Sequence, residues 1–390
     1  MTSDQDQNKK FQSGNVLTIS LAHLVHDVYS SFLAPVLPLL IDKLGISFSL
    51  VGVLSLFQRL PSLLSPLLGL MADKIAMRYL VISSPAITAV SMSLIGVAPS
   101  YTVLCILLLV MGISSMMFHV PSPVMIKKIS GTKIGKGMSY YMFGGEIART
   151  VGPLIILGAV SLWGLEGTYK LIPFGVIATM ILYFRFRKIK ISKDIKKSDQ
   201  WVGIKSTLIK YLGFFIILIG LTFFRSIMKS ALTVFLPTFM IFKGESLWIG
   251  GISLSILELA GAIGTLFAGT ISDKIGRKNS LLIISIMTPV LMILFVISGK
   301  YLALPLLIML GFFIFSSTPI ILAIIQDLAS ERPAFLNGIY VTISFLMGGL
   351  SVIIVGVLSD WLGLELTFKI AGVLSIGAVP FVLMLTEKKP

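Results

Sequence analysis

Asp27 follows directly on His26 and lies four positions after His23, all inside a long apolar run. Residues four apart share a helix face, so His23 and Asp27 face together and His26 sits beside them. Histidine changes charge between about pH 5 and pH 8, and a neighbouring carboxylate can accept or return the proton. Proton handling is the chemistry this grouping suggests. The His-x-x-His-Asp spacing also resembles that of metal ligands. Histidines three apart need not converge, however, and the sequence shows neither an open coordination shell nor a partner to orient the rings. No metal is expected.

Other polar side chains interrupt apolar runs, where ionisable groups are costly and mark function. They are Tyr29, Gln58, Arg59, His119, Glu146, Arg149, Arg225, Lys229 and Glu258. Arg59, Arg149, Arg225 and Lys229, with His119 and Tyr29, are expected to hold an anionic small molecule. His23, His26, Asp27, Glu146 and Glu258 are expected to exchange protons. Plainer readings stand beside these. His119 can be a hydrogen-bonded packing residue, Glu146 and Arg149 a structural pair three apart, and Lys229 can extend its ammonium toward water. Asp327 and Asp360 lie near the ends of runs, where water solvates them.

The elements that must carry these groups are membrane helices. The chain has 390 residues, 56% hydrophobic and 13% charged, with mean hydropathy +0.98. A water-soluble domain needs more polar surface than this. Apolar runs long enough to span a bilayer fall at 15–41, 47–72, 79–98, 101–125, 137–163 and 167–187, then at 207–241, 247–272, 279–298, 301–327, 334–360 and 364–385. The fold class is therefore all-α and integral to the membrane, with twelve transmembrane helices in two six-helix halves. Residues 1–187 form the first half, 188–206 a linker and 207–390 the second half.

The net charge of +15 reflects basic loops gathered on one membrane face, not a nucleic-acid partner. Lysine and arginine concentrate in the amino-terminal tail, the even-to-odd turns and the linker. That bias puts both termini in the cytoplasm of a cell inner (plasma) membrane protein. The basic linker suits a surface helix against anionic lipid headgroups. Met1 to Ser13 is polar and the first run is long enough to stay embedded, so no cleaved signal is expected. The single Cys105 excludes an internal disulfide and a cysteine metal cluster. No nucleophile-elbow, zincin or phosphate-loop motif occurs, so neither an enzyme, a cofactor nor an ATP-driven pump is expected.

The halves repeat. Gly69, Asp73, Lys74 and Ile75 return as Gly269, Asp273, Lys274 and Ile275, each set in a short charged turn between apolar runs. Leu37-Pro38 matches Leu236-Pro237, Gly137 matches Gly338, and Gly164-Leu165-Glu166 matches Gly363-Leu364-Glu365. Paired halves are how many secondary transporters are built, with the substrate between them.

With Gly-x-x-x-Asp-x-x-Gly-Arg-Lys at Gly269 to Lys278, the chain resembles the major facilitator superfamily. The first copy departs from that signature at Ala76, with Met77-Arg78 displaced by one. Gly144-Gly145 with Gly152-Pro153 and Gly158 partly matches the antiporter signature. A closer resemblance is to the fosmidomycin-resistance branch of drug/proton antiporters. It rests on Ser20 to Asp27, Phe118-His119 to Ser122, Gly144-Gly145 with Gly152-Pro153, Ala323 to Leu328, Met347 to Leu350, and Leu364 to Lys369. In that branch's pattern His26 replaces an asparagine, and Glu146 with Arg149 replaces less polar residues. The resemblance implies a monomeric, proton-coupled exporter of a small organic compound, working by alternating access and gated at Asp73, Arg78, Asp273, Arg277 and Lys278. Its rivals are a transition-metal or metal-chelate exporter of the same fold and a non-transporting membrane receptor.

Overall fold

A computed structural model describes residues 11–65, 68, 77–187, 204–328 and 333–385. The first charged turn with Asp73, and residues 188–203 of the linker, lie outside the described residues. Every regular element among those described is helical. The first half contains α1 (Ser13–Ser30), α2 (Leu33–Leu44), α3 (Phe48–Arg59), α4 (Met77–Ser93), α5 (Tyr101–His119), α6 (Ser122–Ile129), α7 (Ile134–Trp163) and α8 (Ile172–Phe186). The second contains α9 (Ile204–Lys210), α10 (Leu212–Phe242), α11 (Leu247–Ile275), α12 (Arg277–Ile297), α13 (Lys300–Asp327), α14 (Pro333–Ser375) and α15 (Ala378–Met384).

Ten helical stretches among the described residues are long and apolar enough to cross a membrane, and Phe48–Leu64 is a shorter apolar one. The stretch Gly338–Met384 has 47 residues. At 1.5 Å per residue that is about 70 Å, more than twice a hydrocarbon core of about 30 Å. It breaks at Gly363, whose φ of 77° is a left-handed value that glycine tolerates. Counted as two, and with the shorter Phe48–Leu64 included, it gives twelve apolar helical stretches among the described residues, the number of crossings expected.

Gly164, the equivalent of Gly363 in the first half, has φ 74°. The repeat extends to side chains. Lys43 donates to Glu166 at 2.7 Å, and its counterpart Lys243 donates to Glu365 at 2.9 Å. Ser47 accepts from the Leu50 amide, and Ser246 from the Ile249 amide, both at 3.3 Å. The two copies thus start and stop their helices with the same capping chemistry.

By internal contacts the chain forms two compact units, residues 1–45 with 57–196, and residues 46–56 with 197–390. Residues 46–56, most of α3, pack in the second unit. In the first unit α1 lies against α7, and Val16, Ile19, Phe118, Ile126, Leu182 and Phe186 share a fully packed core. In the second unit α10 lies against α14 and α11 against α13, around Leu218, Leu221, Leu281, Ile321 and Ile325.

Candidate functional site

The chain has three histidines, and all three gather on one carboxylate. His23 Nε2 lies 3.1 Å from Asp27 Oδ2, His26 Nδ1 2.9 Å from Oδ1, and His119 Nε2 3.2 Å from the same Oδ1. The first two come from α1 with Asp27 itself. His119 is the last residue of α5, which stops where Pro121 removes a backbone donor and α6 begins at Ser122. The Asp27 side chain is 13% exposed, His26 is fully enclosed, and His119 is 38% exposed. His119 is therefore the member of the group that reaches open space.

Tyr141 of α7 completes the arrangement. Its backbone carbonyl lies 2.7 Å from His23 Nδ1, its ring stacks on the His23 ring at 4.1 Å, and its hydroxyl lies 3.4 Å from His119 Nδ1. On the other side Phe118 stacks on His26 at 4.6 Å. Tyr141 went unnoticed in the sequence because it is an uncharged residue in an apolar run. One signal was available: it lies one turn before Gly145, on the same face of α7.

That face is made of glycines. A Cβ on Gly144 would meet the Ser20 carbonyl at 2.4 Å, and one on Gly145 the His23 ring at 2.6 Å. One on Gly152 would overlap the Ser31 hydroxyl. Small residues let membrane helices approach until backbones nearly touch. The Gly144-Gly145 and Gly152 positions thus seat α1 against α7, and this close approach delivers His23 to the Tyr141 carbonyl.

The remaining residues of interest lie elsewhere. Glu146 pairs with Arg149 along α7, and the Arg149 side chain stays 41% exposed. Arg59 ends α3. In the second unit Arg225 Nη2 lies 3.4 Å from the Ile314 carbonyl, and Lys229 sits over the Phe315 ring at 4.6 Å. These two basic residues thus face consecutive residues of α13. Glu258 of α11 is buried. Tyr29, expected to face substrate, is only 3% exposed and donates its hydroxyl to the Leu171 carbonyl at 2.5 Å; it holds α1 to the segment before α8. His119, expected to contact substrate, lies beside Asp27 with its side chain 38% exposed.

Of the residues expected to gate, Arg277 bridges Asp273 at 2.6 Å and Asp327 at 3.4 Å, and Lys278 donates to the carbonyls of Leu383 and Leu385. Arg78 rests over the Tyr79 ring. Asp327 and Asp360, expected to be solvated, are both exposed and are also engaged. Asp360 accepts from the Phe48 and Ser49 amides, each at 2.8 Å.

One ligand atom each from His23, Asp27 and His119 lies within 4.8 Å of the others, a spacing compatible with a transition metal ion. Both ring nitrogens in that set are already at hydrogen-bond distance from the carboxylate, and His26 takes a third contact. An ion would have to displace these bonds, whereas a proton fits within them.

A bundle of apolar crossings in two repeated halves, with ionisable groups gathered inside, defines a multi-pass membrane transporter rather than an enzyme. The profile of the Major Facilitator Superfamily matches residues 19–352, and the chain belongs to that family. It is 27% identical over 367 residues to the fosmidomycin resistance protein of Escherichia coli (strain K12), covering 92% of this chain and 89% of that one. It is 26% identical over 387 residues to the uncharacterized MFS-type transporter YfnC of Bacillus subtilis (strain 168), covering 96% and 93%. Among solved structures, a bacterial homologue of the human lysosomal transporter Spinster, inward-facing and occupied, superposes with TM-score 0.83 at 14% identity, covering 96% of both chains. The nucleoside transporter NupG superposes with TM-score 0.76 at 15% identity, covering 96% and 99%. At such identities these structures share the fold.

Proposed function

We propose that the protein is a proton-coupled secondary transporter that exports a small organic, anionic compound by alternating access. The observation that carries this reading is the Asp27 carboxylate, held inside an apolar crossing by every histidine of the chain. A carboxylate in such a place is costly unless its charge is used, and histidine changes charge near neutral pH. A proton gradient is thus the energy source this group is built to read, with Glu146 and Glu258 as further acidic positions.

The substrate class rests on Arg59, Arg149, Arg225 and Lys229, cations within apolar crossings that favour an anionic group. The fosmidomycin resistance relative points to a phosphonate-like compound, in keeping with those charges. The protein works as a monomer in the cell inner membrane, and the lysine and arginine bias supports an orientation with both termini in the cytoplasm. The charged turn at Asp273, Arg277 and Lys278 gates the cycle, together with Asp73 and Arg78 of the other half.

The deciding experiment is flux in proteoliposomes across an imposed pH gradient, with fosmidomycin as probe. The native protein is expected to accumulate the probe when the gradient is present and only equilibrate it when the gradient is collapsed. Asp27→Asn is expected to lose accumulation while reconstituting at normal yield. Gradient-driven accumulation by Asp27→Asn would remove the carboxylate from the mechanism.

A further inference from the structure

Resting on that reading of the Asp27 group, we infer that the proton exchanged during transport is carried on His119 Nδ1, while His23 and Asp27 keep one shared proton throughout and His26 stays neutral. The argument starts from a group that can only accept. The Tyr141 carbonyl has no hydrogen to give, so the 2.7 Å contact requires the hydrogen on His23 Nδ1. The other nitrogen of that ring, Nε2, is 3.1 Å from Asp27 Oδ2. A bare nitrogen and a bare carboxylate oxygen would repel at this distance in a site with little water. One proton therefore lies between them, either on Nε2 as an imidazolium beside a carboxylate or on Oδ2 as a carboxylic acid beside an imidazole. Moving it between the two changes no net charge. Removing it leaves two lone pairs face to face.

His26 is constrained in the opposite way. Its Nδ1 is 2.9 Å from Asp27 Oδ1 and donates to it, because a bare nitrogen there would meet the same repulsion. Its Nε2 is buried with no hydrogen-bond partner, and the ring is covered by Phe118. A second proton on Nε2 would put a cationic N–H where nothing accepts it, which is expensive. His26 is thus a fixed donor.

His119 has neither restriction. Its Nε2 faces Asp27 Oδ1 at 3.2 Å and donates to it, while its Nδ1 faces the Tyr141 hydroxyl at 3.4 Å. A hydroxyl both donates and accepts. With Nδ1 bare, the Tyr141 O–H points to it; when Nδ1 takes up a proton, the hydroxyl rotates and accepts. The step is balanced: one N–H bond forms at Nδ1, one O–H bond of the hydronium ion that delivers the proton breaks to leave water, and the positive charge passes to the ring. The side chain is 38% exposed against 13% or less for the other members, so the proton arrives and leaves here. The groups facing the His119 ring are Asp27, His23 and His26 from α1 and Tyr141 from α7. One proton per cycle passes through this group.

With three histidines in the chain, ¹⁵N-histidine labelling of the full-length protein in lipid nanodiscs reports this site and nothing else. Between about pH 5 and pH 8, one ring is expected to keep Nδ1–H while its Nε2 shares a proton. A second is expected to stay neutral with Nδ1–H, and the third to gain a proton as pH falls. The titrating ring is expected to disappear from spectra of His119→Gln. Its persistence in that variant, or a ring that titrates from the shared-proton state, overturns the assignment. Flux separates this inference from its parent. Accumulation retained by His119→Gln but lost in Asp27→Asn refutes the inference and leaves proton coupling standing. Accumulation retained by both refutes both.

Discussion

His23 donates through Nδ1 to the backbone carbonyl of Tyr141 at 2.7 Å, and this bond fixes which way round the imidazole is used. A side-chain acceptor could flip or titrate; a helix carbonyl can do neither. The ring is further pinned by stacking on the Tyr141 ring, with 17° between the planes. Nε2 therefore always faces Asp27.

Tyr141→Phe tests the two roles of this residue separately. The substitution keeps the carbonyl and the stacked ring, so His23 and the fold are expected to be untouched, with a melting temperature close to native. The hydroxyl facing His119 is lost. Because it accepts best from a charged N–H, its removal disfavours the loaded form. The pH profile of gradient-driven flux is expected to move toward lower pH at similar maximal rate. An unchanged profile would show that the hydroxyl takes no part.

Gly145→Ala tests the seat of α1 on α7. The added carbon would stand 2.6 Å from His23 Cε1, 2.9 Å from Nε2 and 3.4 Å from Asp27 Oδ2. Backbone approach leaves the ring little room to retreat, so the expected cost is about 1–3 kcal/mol of stability, with loss of pH-driven flux. Gly158→Ala, on the same helix with open space around the new methyl, is the control and should match the native protein or slightly exceed it. Equal melting temperatures and flux for the two variants would mean that α1 and α7 are not held by this contact.

Much of the architecture was legible because its signals are local. Twenty-residue apolar runs, the repeated Gly-x-x-x-Asp-Lys-Ile turn and the His23 to Asp27 spacing all sit within one helix or one loop. The rest of the site depends on packing between helices. His119 reaches Asp27 only because α5 stops beside α1, and Tyr141 acts partly through a backbone atom that has no sequence signature. Tyr29 was misread for the same reason, since nothing local shows that its hydroxyl ends on the Leu171 carbonyl. Asp327 and Asp360, read as solvated from their positions near span ends, are exposed, but nothing local shows that one meets Arg277 and the other caps a helix.

That cap gives a further prediction. Asp360 holds the first two amides of α3, where the helix dipole also favours a negative charge. The packing beside it is close: a Cβ on Gly52 would stand 2.6 Å from Ile353 Cα, and one on Gly356 2.3 Å from the Phe48 carbonyl. Asp360→Ala is expected to cost about 1 kcal/mol, an ordinary capping loss, and to speed hydrogen exchange in the peptide covering 46–56 about fivefold. Asp360→Asn, which still accepts but without charge, should fall between. Exchange that stays at the native rate in both would mean that α3 is held by its neighbours alone.

Arg225 carries the prediction about substrate charge. Its guanidinium makes a long 3.4 Å contact with the Ile314 carbonyl, and Lys229, one turn on, lies over Phe315. Both cations reach consecutive residues of α13. If Arg225 reads the anionic group, Arg225→Ala removes a charge-assisted hydrogen bond and weakens an anionic ligand about ten- to hundredfold. A neutral ester of the same scaffold, which never used that charge, should bind as before. Arg225→Lys keeps the charge and loses the planar fork, so its affinity for the anion should be intermediate. Ligand-induced shifts in melting temperature for the matched pair of compounds measure this directly. Parallel losses for acid and ester would assign Arg225 to its contact with α13 and leave recognition of the anion to Arg59, Arg149 and Lys229.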